Sequence, residues 1–93
     1  MLRFLQISEV GDSMKARREV ANRILQLCSE RNLALNKLAY KSAVPPSTLK
    51  SIMNGDSKNP GIVTIKLLCD GLGISLFDFF NTKEFYSIEP EEI

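Results

Sequence analysis

The tripeptide Val44-Pro45-Pro46 constrains the fold more than any other feature of this 93-residue chain. Each proline pushes the residue before it out of the helical region of backbone space, so no helix can run through this point. Proline does suit the first turn of a new helix, where the missing N–H would find no intrahelical partner in any case. Apolar residues stand at helical spacing on both sides. Leu35 to Ala43 therefore reads as a short helix with Leu38 and Ala39 inward, and Pro46 to about Asn54 as another with Leu49 and Ile52 inward. Val44 is placed to plug the corner between them, and Ala39 is small enough to let the two helices approach closely.

The remaining chain reads as helix on either side of this pair. From Lys15 to Arg31, Val20, Ile24, Leu27 and Cys28 form one apolar stripe, while Arg17, Arg18, Arg23 and Glu30 lie on other faces, and Asn32 is a tolerated terminator. Gly55 accepts the left-handed conformation that ends the helix begun at Pro46. Asp56 to Pro60 is polar and turn-rich, a surface loop. Ile62, Ile65, Leu68, Cys69 and Leu72 mark a fourth helix closed by Gly73, and Ser75 is a good N-cap for a short fifth carrying Leu76, Phe79 and Phe80. Only residues 2–7 have any strand character. The expected fold is all-α, with five short helices in one domain over residues 15–81. An extension of residues 1–14 precedes it, with Met14 a second possible start, and an acidic tail of residues 82–93 follows.

Composition then removes several function classes. The chain has no histidine, and so lacks the usual general base and the commonest metal ligand. No nucleophile–base constellation is available, so an enzyme is not expected, nor a metal or cofactor. Cys28 and Cys69 lie 41 positions apart with no Cys-x-x-Cys spacing, which points to small reduced core residues rather than a disulfide framework. No apolar run approaches the roughly 20 residues needed to span a bilayer. Met1 to Val10 lacks the continuous apolar stretch of a signal peptide, so a cytoplasmic location is expected. Nothing in the sequence indicates a small-molecule effector.

The formal charge is only +1, from 12 basic and 11 acidic residues, but its distribution is uneven. Residues 1–13 carry one basic and two acidic side chains, a net −1. Residues 14–68 carry ten basic and three acidic, a net +7, and residues 69–93 carry one basic and six acidic, a net −5. A basic body points to a polyanionic partner, with solvated charge on helical faces as the plain alternative. The helix that starts at Pro46 sharpens the choice. With Leu49 and Ile52 inward, its opposite face carries Ser47, Ser51 and Asn54 at i, i+4 and i+7, with Pro46 and Lys50 beside them. All are small or polar, as a helix entering a DNA major groove requires.

At Leu33, Leu38-Ala39, Val44, Ser47-Thr48-Leu49, Ile52, Asn54-Gly55, Asn59-Pro60 and Leu72-Gly73-Ile74-Ser75-Leu76, followed by Phe79-Phe80, the chain resembles a known family. It is similar there to the phage-repressor, Cro-type helix-turn-helix transcriptional regulators, over roughly residues 18–80. The resemblance implies a compact, five-helix, lambda-repressor-like DNA-binding domain. It assigns base reading to Pro46, Ser47, Lys50 and Ser51, with Thr48 at the edge, and Lys50 is suited to guanine O6 and N7. It assigns phosphate contacts to Asn36, Lys37, Lys41, Asn54, Ser57, Lys58 and Asn59, which set register without reading sequence.

Departures from the family pattern give further expectations. Ala34 stands where a Ser or Thr usually caps the second helix, and Leu35 where a Gln often follows. Ala43 replaces the turn glycine and must either hold a strained backbone or shift the turn. Cys28 and Met53 stand where several members pair an arginine with a glutamate, so an apolar contact is expected instead. Leu67, Phe77, Phe85, Tyr86 and Ile88 fall outside the inward stripe and are the candidate homodimer surface, covering of the chain's own core being the alternative. The function expected is sequence-specific binding of double-stranded DNA by a small transcriptional regulator, acting as a repressor. Competing readings are an antitoxin that represses its own operon, and a protein-interaction adaptor on the same fold.

Overall fold

The computed structural model of the chain describes residues 15–57 and 59–91. Six helices follow in order: α1 (Lys15–Glu30), α2 (Leu35–Ser42), α3 (Pro46–Asn54), α4 (Ile62–Leu72), α5 (Leu76–Phe80) and α6 (Lys83–Tyr86). There is no strand among the described residues; the strand-like stretch 2–7 and the rest of the extension 1–14 lie outside them. The all-α expectation therefore stands, and the count of five does not. The sixth helix arises inside the segment read as an acidic tail. Thr82, in extended backbone, accepts a hydrogen bond from the Phe85 N–H at 3.2 Å and so caps a four-residue helix. Four residues are too few to show a 3.6-residue period, which is why the pattern did not reveal it.

Three of the helices end in the same way. In each an N–H reaches back five residues over the last turn: Leu33 to the Cys28 carbonyl at 2.9 Å, Val44 to Ala39 at 3.1 Å, and Ile74 to Cys69 at 3.0 Å. This is the Schellman arrangement, which satisfies carbonyls left open at the helix end and requires a left-handed residue in between. That residue is Asn32 (φ 52°) after α1, Ala43 (φ 56°) after α2 and Gly73 (φ 77°) after α4. Leu33 and Ile74 pack against the core and Val44 is buried in it, so each closure also places an apolar anchor. The doubt over Ala43 is thus resolved: it holds the strained conformation and the turn does not shift.

The core is formed by Val20, Ile24, Leu27 and Cys28 of α1, Leu38 and Ala39 of α2, Val44, Leu49 and Ile52 of α3, Ile65, Leu68, Cys69 and Leu72 of α4, and Phe79 of α5. Met53 packs against it from one side, and Cys28 is buried within it. Burial pushes both cysteine thiols above their ordinary value, with nearby Arg31 opposing the shift at Cys28. The helices α2 and α4 approach each other closely at Ser42 and Gly71. A Cβ built on Gly71 would lie 2.1 Å from the Ser42 Oγ and 3.2 Å from the Ser42 Cα, so only glycine lets the two helices meet at this depth. Ile62, read as part of the inward stripe, is instead 58% exposed because it is the first residue of α4 and precedes the turn that enters the core.

Two polar clasps tie the ends together. Arg23 of α1 donates from Nε to the Phe79 carbonyl and from Nη2 to the Asp78 carbonyl, each at 2.7 Å, placing a cation on the open C-terminal carbonyls of α5. At the start of α1, Glu91 accepts from the Ala16 N–H at 2.9 Å, and Glu89 lies 3.8 Å from the Lys15 ammonium. The acidic tail therefore folds back on the positive end of the α1 dipole, where carboxylates are favourable.

Candidate nucleic-acid interface

The position of α3 follows from its two ends. Pro45, with φ −56° and ψ 136°, is the N-cap, and Pro46 occupies the first helical position. The Pro45 carbonyl accepts the first two helical bonds, from the N–H of Thr48 at 2.9 Å and of Leu49 at 3.1 Å. Leu49 and Ile52 are 2% and 1% exposed, which fixes the rotation of the helix about its axis. Its outward side then carries Pro46, Ser47 and Lys50, all exposed, whereas Thr48 and Ser51 are half-buried at its margins. The five residues assigned to base reading thus divide into an outward ridge of three and two flanking positions.

The phosphate-contact set divides similarly. Asn36, Lys37 and Lys41 lie exposed on α2, on the side away from buried Leu38, Ala39 and Ser42. Ala34 at the N-cap offers no side-chain bond, as expected from its chemistry, and only its carbonyl serves α2, accepting from the Leu38 N–H at 3.0 Å. Asn54 and Asn59 are exposed and Ser57 is half-buried. The Asn54 Oδ1 accepts from the Asp56 N–H at 3.1 Å and the Ser57 N–H donates to the Ser51 carbonyl at 3.0 Å, so this turn is shaped by its own bonds. Asn54 keeps its amide N–H groups for an outside acceptor, and Asp56 adds an acid to a surface read as basic. Lys58 lies outside the described residues.

The +7 of the body is also partly internal. Lys15 faces Glu89, Arg23 caps α5, Arg31 lies beside Glu30 and donates to the Leu27 carbonyl at 3.3 Å, and Lys66 pairs with Asp70 one turn on. Lys37, Lys41 and Lys50 have no carboxylate partner among the described residues, and all three project from α2 and α3. Three of the cations without a carboxylate partner thus project from these two neighbouring helices. Tyr40, 75% exposed between Lys37 and Lys41, belongs to the same surface and was not singled out from the sequence; an aromatic on the polar side of its own helix was the available signal.

An apolar face forms elsewhere. Phe77 and Tyr86, 71% and 70% exposed, line a shallow groove with Ile62, Leu76 and Phe80. Val63 is likewise exposed, one helical turn before Leu67, the least exposed of these at 36%. Of the five candidate dimer residues, Phe77 and Tyr86 are brought together, and Leu67 stands apart on α4. Phe85 is a correction: its ring turns inward, 4.9 Å from Phe80 and 6.1 Å from Phe79, because α6 lays it on the core. Ile88 is half-buried and lines a different recess, with Lys15 and Arg18. Ile62 and Val63 were missed because both were read within a single apolar helix. No described helix is long and apolar enough to cross a membrane.

No protein-family model matches the chain. No curated protein matches it either. Among solved structures, the crystal structure of the prophage Lp1 protein 11 superposes with a TM-score of 0.70 at 32% sequence identity. The match covers 77% of this chain and 95% of that one. With so large a share of both chains aligned at that identity, the chain belongs to the family of the prophage Lp1 protein 11.

Proposed function

We propose that the chain binds double-stranded DNA sequence-specifically as a small transcriptional regulator, a repressor, with α3 in the major groove. The observation that carries this reading is the outward ridge of α3, where Pro46, Ser47 and Lys50 project from a helix locked by Leu49 and Ile52, beside the unpaired lysines of α2. Lys50 donates to guanine O6 and N7, while Pro46 and Ser47 permit close approach. Asn36, Lys37 and Lys41 hold the phosphates that set the register. The relative's description as a prophage protein supports a small phage-type regulator. On this reading the protein needs no catalytic group, metal or cofactor.

The groove of Ile62, Phe77 and Tyr86 supports a two-fold dimer, which reads palindromic sites with half-site centres roughly 34 Å apart. The same exposed rings favour one competing reading, an adaptor that binds another protein and not DNA. Salt separates the two. Phosphate neutralisation makes log K fall linearly with log[salt], by about 0.9 for each phosphate contact. Fluorescence anisotropy of a labelled duplex titrated from low to high KCl is expected to give a slope of several units. Absence of salt-dependent duplex binding would leave only the adaptor.

A further inference from the structure

We infer that Arg17 of α1 is a phosphate-binding residue, extending the DNA-contact surface to the C-terminal end of α3; this rests on the DNA-binding reading above. The sequence pattern placed Arg17 only off the apolar stripe of its helix, and the contact set drawn from α2, α3 and the following loop contains no residue of α1. The structure puts it elsewhere. A Cβ built on Gly55 would lie 2.8 Å from the Arg17 Nη1 and 3.8 Å from its Cζ, so the guanidinium rests over the backbone of the residue that ends α3. It stands beside the turn of Asn54, Asp56 and Ser57.

What distinguishes Arg17 is that its donors are unspent. Arg23 and Arg31 give theirs to backbone carbonyls, and Arg18 is also partnered. Arg17 has no hydrogen-bond or ion-pair partner among the described residues, although its Nε is buried. Asp56, the acid of the adjacent turn, does not pair with it. The Nε is buried without a partner and the remaining guanidinium donors are bound by no other described residue, so an acceptor from outside is the partner still lacking on this half-buried side chain. The guanidinium fork matches two oxygens of one phosphate, a geometry that ammonium does not provide. Gly55 makes the arrangement possible, because any side chain there would displace the guanidinium.

The test uses the full chain and its Arg17→Gln and Arg17→Lys variants, each titrated with KCl on a duplex selected by the wild type and on a random duplex. Thermal unfolding without DNA is recorded for all three. Arg17→Gln is expected to lower the steepness of log K against log[KCl] by about 0.9 on both duplexes, leaving their affinity ratio unchanged, and Arg17→Lys to keep the steepness. A purely structural role would alter the melting temperature or the affinity without altering the slope. A wild-type slope in Arg17→Gln therefore overturns the inference while DNA binding stands. If the wild type itself shows no salt-dependent binding, the DNA reading fails and this inference with it.

Discussion

Replacing Ala43 by glycine should make the protein more stable, although glycine usually weakens a chain. Ala43 is held at φ 56° and ψ 31° between α2 and α3. For an L-residue that conformation costs about 1–2 kcal/mol. Glycine removes the cost but enlarges the freedom of the unfolded chain, a loss of about 0.4–1 kcal/mol. Ala43 is exposed, so its methyl group contributes no burial that would be forfeited. The net gain is centred on about 0.8 kcal/mol, or about 3–6 °C in Tm for a domain of this size. Gly73 supplies the reverse experiment. It occupies the same position of the same motif at φ 77°, with nothing within 4 Å of where a Cβ would stand, so Gly73→Ala reads conformational cost alone and should lose a similar amount. Urea unfolding followed by circular dichroism, with unchanged m-values, measures both. A neutral or destabilised Ala43→Gly, together with a neutral Gly73→Ala, would show that the left-handed residue of the shared helix-end motif carries no such cost.

Arg23→Ala removes two charge-assisted bonds to the end of α5 and is expected to cost about 1–3 kcal/mol in urea unfolding, with Arg23→Lys recovering part of it. Burial raises the pKa of Cys28 and Cys69 in the folded state. The folded chain therefore holds those protons to higher pH than the unfolded one, so their contribution to stability is complete below the ordinary thiol value of about 8.5 and declines as pH rises beyond it. Urea midpoints at pH 7, 9 and 10 check the direction, and Cys28→Ser with Cys69→Ser should flatten the decline. On DNA, Lys50→Ala is expected to weaken a selected duplex more than a random one, whereas Lys37→Ala weakens both alike; equal losses for Lys50→Ala would remove it from base reading.

The parts legible in the sequence are those written in short-range chemistry. The prolines at 45 and 46 fixed the break before α3, and the stripes of α1 and α4 placed most of the core. Ser75 foretold the cap of α5, whose Oγ accepts from the Asp78 N–H at 3.0 Å. What remained hidden depends on distance in three dimensions. Nothing local says that Arg23 reaches residues 78 and 79, that Glu91 returns to Ala16, or that Gly71 must be glycine because Ser42 lies against it. Charge counting was the weakest guide to the interface. It gave Lys15, Arg23, Arg31 and Lys66 the same weight as Lys50, and only the fold separates cations with internal partners from those facing outward. Phe85 failed for the opposite reason: it lies in a helix too short to announce itself, and its aromatic neighbours, not its period, turn it inward.

Selection of bound sites from a random pool of DNA duplexes, by the full chain at moderate salt, puts DNA reading by α3 to the test. The expected result is enrichment of one short motif containing guanine, repeated as a palindrome with half-site centres about one helical turn apart, and loss of that enrichment in Lys50→Ala. A selected pool indistinguishable from the input would contradict it, and would leave the α3 ridge a solvated helix face.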